Sequence, residues 1–179
     1  MGEALLAGIL GAGLAESQDI RVGEPNESRR AYLEERYGLK AHATNADVIE
    51  GSEILVLAVK PQNLPDVLSE FKNRLPRENV VLSIVAGARM ATLTKGLNHS
   101  AIIRVMPNTP AQISAGMSVW TASSDVQRTM ISATRKILGT LGEQLYVPDE
   151  NLIDMATALS ASGPAYVFLF IETLIDAGV

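Results

Sequence analysis

The chain has 179 residues, a net charge of −5, no cysteine and only two histidines, His42 and His99. This excludes disulfides, thiolate metal sites and a cysteine nucleophile, leaves too few histidines for a metal cluster, and lacks the gathered Lys and Arg of a nucleic-acid reader. With 47% hydrophobic and 20% charged residues, there is enough apolar surface to offset the entropy of ordering one domain plus the start of another. Apolar runs such as Ile54 to Val59 fall far short of the ~20 residues that span a bilayer. No signal-peptide pattern opens the chain. A soluble cytoplasmic protein with neither nucleic acid nor membrane as partner is expected.

Leu5, Leu6, Ile9, Leu10 and Leu14 recur at helical spacing, so the chain is expected to open at the start of a helix. Asp19 to Val22 predicts a short strand, Asn26 to Tyr37 a helix closed by Gly38, and Lys40 to His42 a brief strand. Asn45 can cap a short helix ending near Gly51. Glu53 to Val59 is almost wholly apolar, as in a strand covered on both faces. Leu64, Val67, Leu68, Phe71 and Leu75 mark a helix, and Asn79 to Val85 a second buried strand. Ala101 to Met106 and Met117 to Thr121 follow as strands. Ser124 is expected to cap a helix over Asp125 to Leu138, before a last strand at Gly142 to Val147. From Pro148 onward the pattern is helical. Strands alternating with amphipathic helices predict an α/β fold of Rossmann-like, doubly wound type with a mainly parallel sheet.

In such a sheet, ligands bind outside the carboxyl ends of the strands. Lys60 and Pro61, then Ala86 and Gly87, then Asn108, Thr109 and Pro110 stand at three such ends. Each group also reads as an ordinary turn, but three converging edges make a crevice. Glu24 stands 22 residues after Gly2, near the ~20-residue offset at which an acidic side chain meets a ribose diol. Asn26, Ser28, Arg29 and Arg30 follow and could instead hold a 2′-phosphate, and a solvated first turn of a helix accounts for the same residues without any ligand. Gly11-Ala12-Gly13 resembles a phosphate loop only superficially, because no strand precedes it; a helix C-cap and short loop account for it. Ser160 to Tyr166 interrupts two apolar helical segments. A kink at Pro164 is the favoured account, and a close approach of Ser162 to cofactor or substrate the alternative.

Met1-Gly2-Glu3-Ala4-Leu5 is similar to the tail of the glycine-rich fingerprint of the pyrroline-5-carboxylate reductase family, strand, G-x-G-x-M-G-x-A, helix. Ala58-Val59-Lys60-Pro61, Val85-Ala86-Gly87, Arg104 to Pro110 and Leu159 to Tyr166 resemble that family's further motifs, in its order and spacing. The resemblance implies that Gly2 underlies the cofactor pyrophosphate and that Asn45 approaches the adenosine. Ala58, Lys60 and Pro61 would line the nicotinamide side, Ala86 and Gly87 its ribose, and Asn108, Thr109 and Pro110 the floor near the ring. Ser162 and Gly163 would lie near the substrate.

The resemblance also implies a dinucleotide-binding domain over residues 1–148 without its first strand, and over 149–179 the start of an all-α dimerisation domain. The family's catalytic groups are expected beyond Val179, with no metal. The implied activity is NAD(P)H-dependent reduction of 1-pyrroline-5-carboxylate to L-proline in a homodimer or larger homo-oligomer. NADP is the expected cofactor and NAD the alternative, because Glu24 stands where the family often has a small hydroxyl residue. Two other functions are weighed: a non-catalytic nucleotide-binding or dimerisation fragment, and a related NAD(P)-dependent dehydrogenase.

Overall fold

In a computed structural model describing residues 1–49 and 51–179, the elements in chain order are α1 (Gly2–Gly11), β1 (Arg21–Gly23), α2 (Glu27–Tyr37), β2 (Lys40–His42), β3 (Ile54–Leu57), α3 (Leu64–Phe71), β4 (Val80–Ser83), α4 (Met90–Leu97), β5 (Ile102–Met106), β6 (Gly116–Ala122), α5 (Arg128–Gly139), β7 (Gly142–Tyr146), α6 (Asn151–Ala156) and α7 (Gly163–Ala177). Strands β3 to β7 form one sheet in that order, and β1 and β2 a second, parallel pair. The five-stranded sheet is parallel from β3 to β5; β6 then runs antiparallel to β5, and β7 parallel to β6.

The alternation along β4 and β5 sends side chains to both faces, and each face carries helices. Val81 and Ile102 join Leu64, Leu68 and Phe71 of α3 and Leu93 and Leu97 of α4 in one core. Val80, Leu82, Ile103 and Val105 join Leu5 of α1, Trp120, and Leu138 of α5 in another. A third, smaller cluster of Leu6, Leu33 and Leu39 packs α1 and α2 around the β1–β2 pair. Helices on both faces of a mainly parallel sheet make the fold doubly wound.

Most expected elements appear within a few residues of their expected limits, and five differences have physical causes. First, α1 stops at Gly11, and Gly13 adopts φ 62° with Leu14 exposed beyond the helix. Second, Asn45 makes no side-chain cap on the 3₁₀ turn Ala46–Val48; the expected continuation through Glu50 lies outside the described residues. Third, α5 begins at Arg128 after Gln127, not at Asp125, and the Ser124 hydroxyl turns to the Asp125 carboxylate instead.

Fourth, α4 was not expected, because its start has no local cap. Its first amide, Met90 N–H, is instead bonded by Glu150 Oε1 at 2.7 Å, 60 residues away. Fifth, the departure near Pro164 is a π-helical turn over Thr157–Ala161, and Pro164 itself sits in the first turn of α7, where a missing N–H is tolerated. Residues Asn151–Ala177 thus run as one helical stretch of 27 residues with a mean hydropathy of 1.5 over its most apolar 18. That is long and apolar enough to cross a membrane by length and composition, which the short apolar runs of the sequence conceal because Ser, Thr and Gly interrupt them.

Leu93 is fully buried on α4. Replacing it with Ala should cost about 2–5 kcal/mol of stability, the usual range for a large-to-small core change. Urea unfolding of wild type and variant in parallel checks this.

Candidate functional site

The candidate site lies at the carboxyl ends of neighbouring parallel strands, where the sequence predicts a crevice. Helix α1 starts directly over the end of β3, so closely that a Cβ on Gly2 would lie 3.0 Å from that of Ala58. Its first amides have no partner inside the helix, and they carry the positive end of the helix dipole. Such a bare helix start is a ready anion site. Ala58 is exposed, and after it Lys60 leads into a 3₁₀ turn with Pro61 in first position, the Lys60 carbonyl accepting Asn63 N–H at 2.9 Å. On the adjacent strand, exposed Ala86 and Gly87 follow β4. Gly87 takes φ 74°, a left-handed conformation that costs glycine little. Thr109 and Pro110 open the 3₁₀ turn after β5. Gly2, Ala58, Lys60, Pro61, Ala86, Gly87, Thr109 and Pro110 therefore belong to one rim.

Beside α1, the end of β1 carries Glu24, whose Oε1 accepts Asn26 N–H at 2.9 Å. Asn45 lies over Gly23 and donates to Glu70 Oε2 at 2.9 Å. The two arginines offered by the sequence for a 2′-phosphate are both engaged. Arg30 donates to the carbonyls of Glu24 at 2.9 Å and Pro25 at 2.8 Å, and Arg29 is paired with Glu3. Glu3, in the first turn of α1, also accepts from the hydroxyls of Tyr32 at 3.0 Å and Tyr37 at 2.9 Å. The Arg29 hydrogen bond holds its carboxyl below the usual glutamate range, against the opposing effect of desolvation. No spacing rule links Glu3 with residues 26 to 34 positions away, so this cluster was invisible in the sequence.

At the other side of the rim, Asn108 faces the helical segment. Its Oδ1 accepts Met117 N–H at 2.8 Å and its Nδ2 donates to the Ser160 carbonyl at 3.2 Å. Ser162 donates its hydroxyl to the Thr157 carbonyl at 2.9 Å and leads into Gly163, the first residue of α7.

Residues 1–87 match the family model described as NADP oxidoreductase coenzyme F420-dependent, and residues 150–179 the model for pyrroline-5-carboxylate reductase dimerisation. A pyrroline-5-carboxylate reductase of Synechocystis is 41% identical over all 179 residues, which span 66% of its length. One of Corynebacterium melassecola is 36% identical, again over the whole of this chain and 67% of its own. The chain belongs to the pyrroline-5-carboxylate reductase family. Two solved pyrroline-5-carboxylate reductases superpose on 99% of it. That of Coxiella burnetii does so with TM-score 0.90, 28% identity and 66% of its own chain covered. That of Plasmodium falciparum, which has NADP bound, does so with TM-score 0.85, 32% identity and 65% of its own chain covered.

In this pyrroline-5-carboxylate reductase family member, the dimerisation match begins at Glu150, which is also where the helical segment is fastened to the sheet. Arg104 projects from β5 with only 3% of its side chain exposed, and donates to Glu150 Oε1 and Asp154 Oδ1, each at 2.8 Å. Arg89, just before α4, donates to the other Asp154 oxygen at 2.6 Å. In the sequence Arg104 showed only as a motif letter between apolar neighbours. A charge in a buried strand is itself the signal that a partner must exist.

The Arg104 hydrogen bond holds the Asp154 carboxyl below its usual range. The folded-state value being depressed, its stabilisation is present above the ordinary aspartate range near pH 4 and is lost as pH falls through the folded value. Wild type should therefore exceed Asp154→Asn in stability at pH 6, and the gap should shrink below about pH 4. Denaturant unfolding across that pH range checks it. Arg104→Met should cost about 1–3 kcal/mol, less than at a fully enclosed pair because both carboxylates keep some solvent.

Proposed function

We propose that the complete protein reduces 1-pyrroline-5-carboxylate to L-proline with a nicotinamide dinucleotide, NADP(H), with NAD(H) the alternative. The observation that carries the reading is the bare floor of the crevice, where Gly2, Ala58, Ala86 and Gly87 present backbone and methyl groups at adjacent strand ends. A dinucleotide fits such a floor, because backbone must approach phosphate and ribose closely. Gly2 and the first amides of α1 would hold the pyrophosphate, Glu24 and Asn45 the adenosine side, and Ala58, Lys60 and Pro61 the nicotinamide side. Ala86 and Gly87 would support the nicotinamide ribose, and Thr109 and Pro110 the floor below the ring. Ser162 and Gly163 would border the substrate.

When bound, the cofactor supplies a hydride for the C=N carbon of the imine, and a proton is delivered to the nitrogen. The chain's part is positioning and electrostatics, with no nucleophile or metal required. We place the boundary of the dinucleotide-binding domain at Pro148 and take the helices after it as a dimerisation element. No residue of α7 is buried, and Val167, Phe168, Phe170, Ile171, Leu174 and Ile175 are 56%, 67%, 65%, 46%, 57% and 62% exposed. A second copy of the chain is the occupant we propose, in place of a bilayer, for a helix otherwise long enough to span one.

Calorimetric titration with NADPH and NADH, kept separate from any turnover assay, tests the crevice. Binding of NADPH should be lost or weakened at least tenfold in Gly2→Val, whose branched side chain would strike Ala58; equal binding by that variant would sink the assignment. Glu24→Ser should shift the NADPH-to-NADH affinity ratio upward by about tenfold, since it removes a carboxylate that repels a 2′-phosphate.

A further inference from the structure

Pro164 has no N–H, and so cannot donate to the carbonyl four residues before it, that of Ser160. The next amide along, Ala165 N–H, is already bonded to the Ser162 carbonyl at 3.0 Å. The Ser160 carbonyl would thus be left without its helical donor, at the point where the helix loosens into a π turn and Ser162 N–H reaches back five residues to Thr157 at 3.0 Å. Among the described residues, the one side chain that donates to this carbonyl is Asn108, through Nδ2 at 3.2 Å. Its other end is fixed, because Oδ1 accepts the Met117 N–H of β6 at 2.8 Å. An asparagine suits both ends, with an acceptor on one side and a donor on the other; aspartate would match only the first.

We infer that Asn108 is a positioning residue whose amide stands in for the helix N–H missing at Pro164, and so sets where the π turn places Ser162 and Gly163 above the crevice. The second half of the inference rests on the crevice being a dinucleotide site; the first half does not. A half-buried carbonyl left without a donor favours local opening, so the tether holds the turn in one of its arrangements. Both polar atoms of this asparagine are engaged within the chain, each keeping one further hydrogen-bonding position.

The test uses the 179-residue chain and a double-mutant cycle. Asn108→Asp keeps the acceptor for Met117 and removes the donor for Ser160. Exchange of the Ser162 amide, followed by NMR, should then quicken about fivefold to tenfold, the scale of one net hydrogen bond. Pro164→Ala returns an N–H within reach of Ser160, and in that background Asn108→Asp should quicken the exchange less than about twofold, the bond being already supplied. Equal effects in both backgrounds would overturn the inference. Should Asn108→Asp fail to fold, the unaltered chain still decides: a side-chain amide of Asn108 that exchanges as fast as an exposed one overturns the tether, and a slowed one supports it. NADPH affinity measured on the same four proteins tests the placement. A weakening in Asn108→Asp that Pro164→Ala reverses supports it, and coupling in exchange with unchanged affinity refutes it. If the unaltered chain binds no dinucleotide, the crevice assignment fails while the exchange cycle still judges the tether.

Discussion

A single buried guanidinium holds the two halves of this molecule in register. Arg104 stands in the middle of a strand whose other side chains are apolar, and its charge is tolerable there only because Glu150 and Asp154 reach it from α6. The same Glu150 oxygen that takes Arg104 also takes the first amide of α4, and the same Asp154 takes Arg89. One pair of carboxylates therefore serves a strand, a helix start and a loop together. Removing the helical segment would leave β5 with an unpaired charge and α4 with an uncapped start, so the sheet and the segment after it are coupled although different chain regions supply them.

The parts of this architecture legible in the sequence are those dictated by near neighbours. The apolar runs at Ile54–Leu57 and Val80–Ser83, the Asn26 cap on Arg29 N–H and the left-handed Gly38 closing α2 depend on residues within a few positions. What was not legible depends on residues far apart. Helix α4 is not legible locally because its cap comes from Glu150 and its own apolar face is short, with Gly96 in its last turn. The same holds at the candidate site. The residues after β3, β4 and β5 can be placed on one rim from topology alone, but the engagement of Arg29 by Glu3 and of Asn108 by Ser160 could be seen only once the chain was folded.

The adenosine side shows how these distant contacts change a chemical reading. As a string, Ser28-Arg29-Arg30 offers two guanidinium groups to a phosphate, and Glu24 offers a carboxylate to a diol. In the fold, Arg29 and Arg30 are already satisfied by Glu3 and by two backbone carbonyls. A 2′-phosphate would have to recruit them from existing partners, at the cost of bonds already made. Preference between the two dinucleotides would then be a matter of exchange between partners, and Glu3, which holds Arg29, would take part in it.

Helix α7 ends the chain's own packing in an unusual condition: a helix of 15 residues, rich in Phe, Leu and Ile, none of them buried against the described residues. Its free energy is then not a property of one molecule. The sheet and its flanking helices draw their stability from contacts inside the chain, which dilution leaves untouched. Burial of α7 by a second copy, as proposed above, would obey mass action and carry the loss of translational freedom with it. Two regions of one polypeptide would thus answer to different variables, the first to temperature, denaturant and pH, the second also to how many copies share the solution.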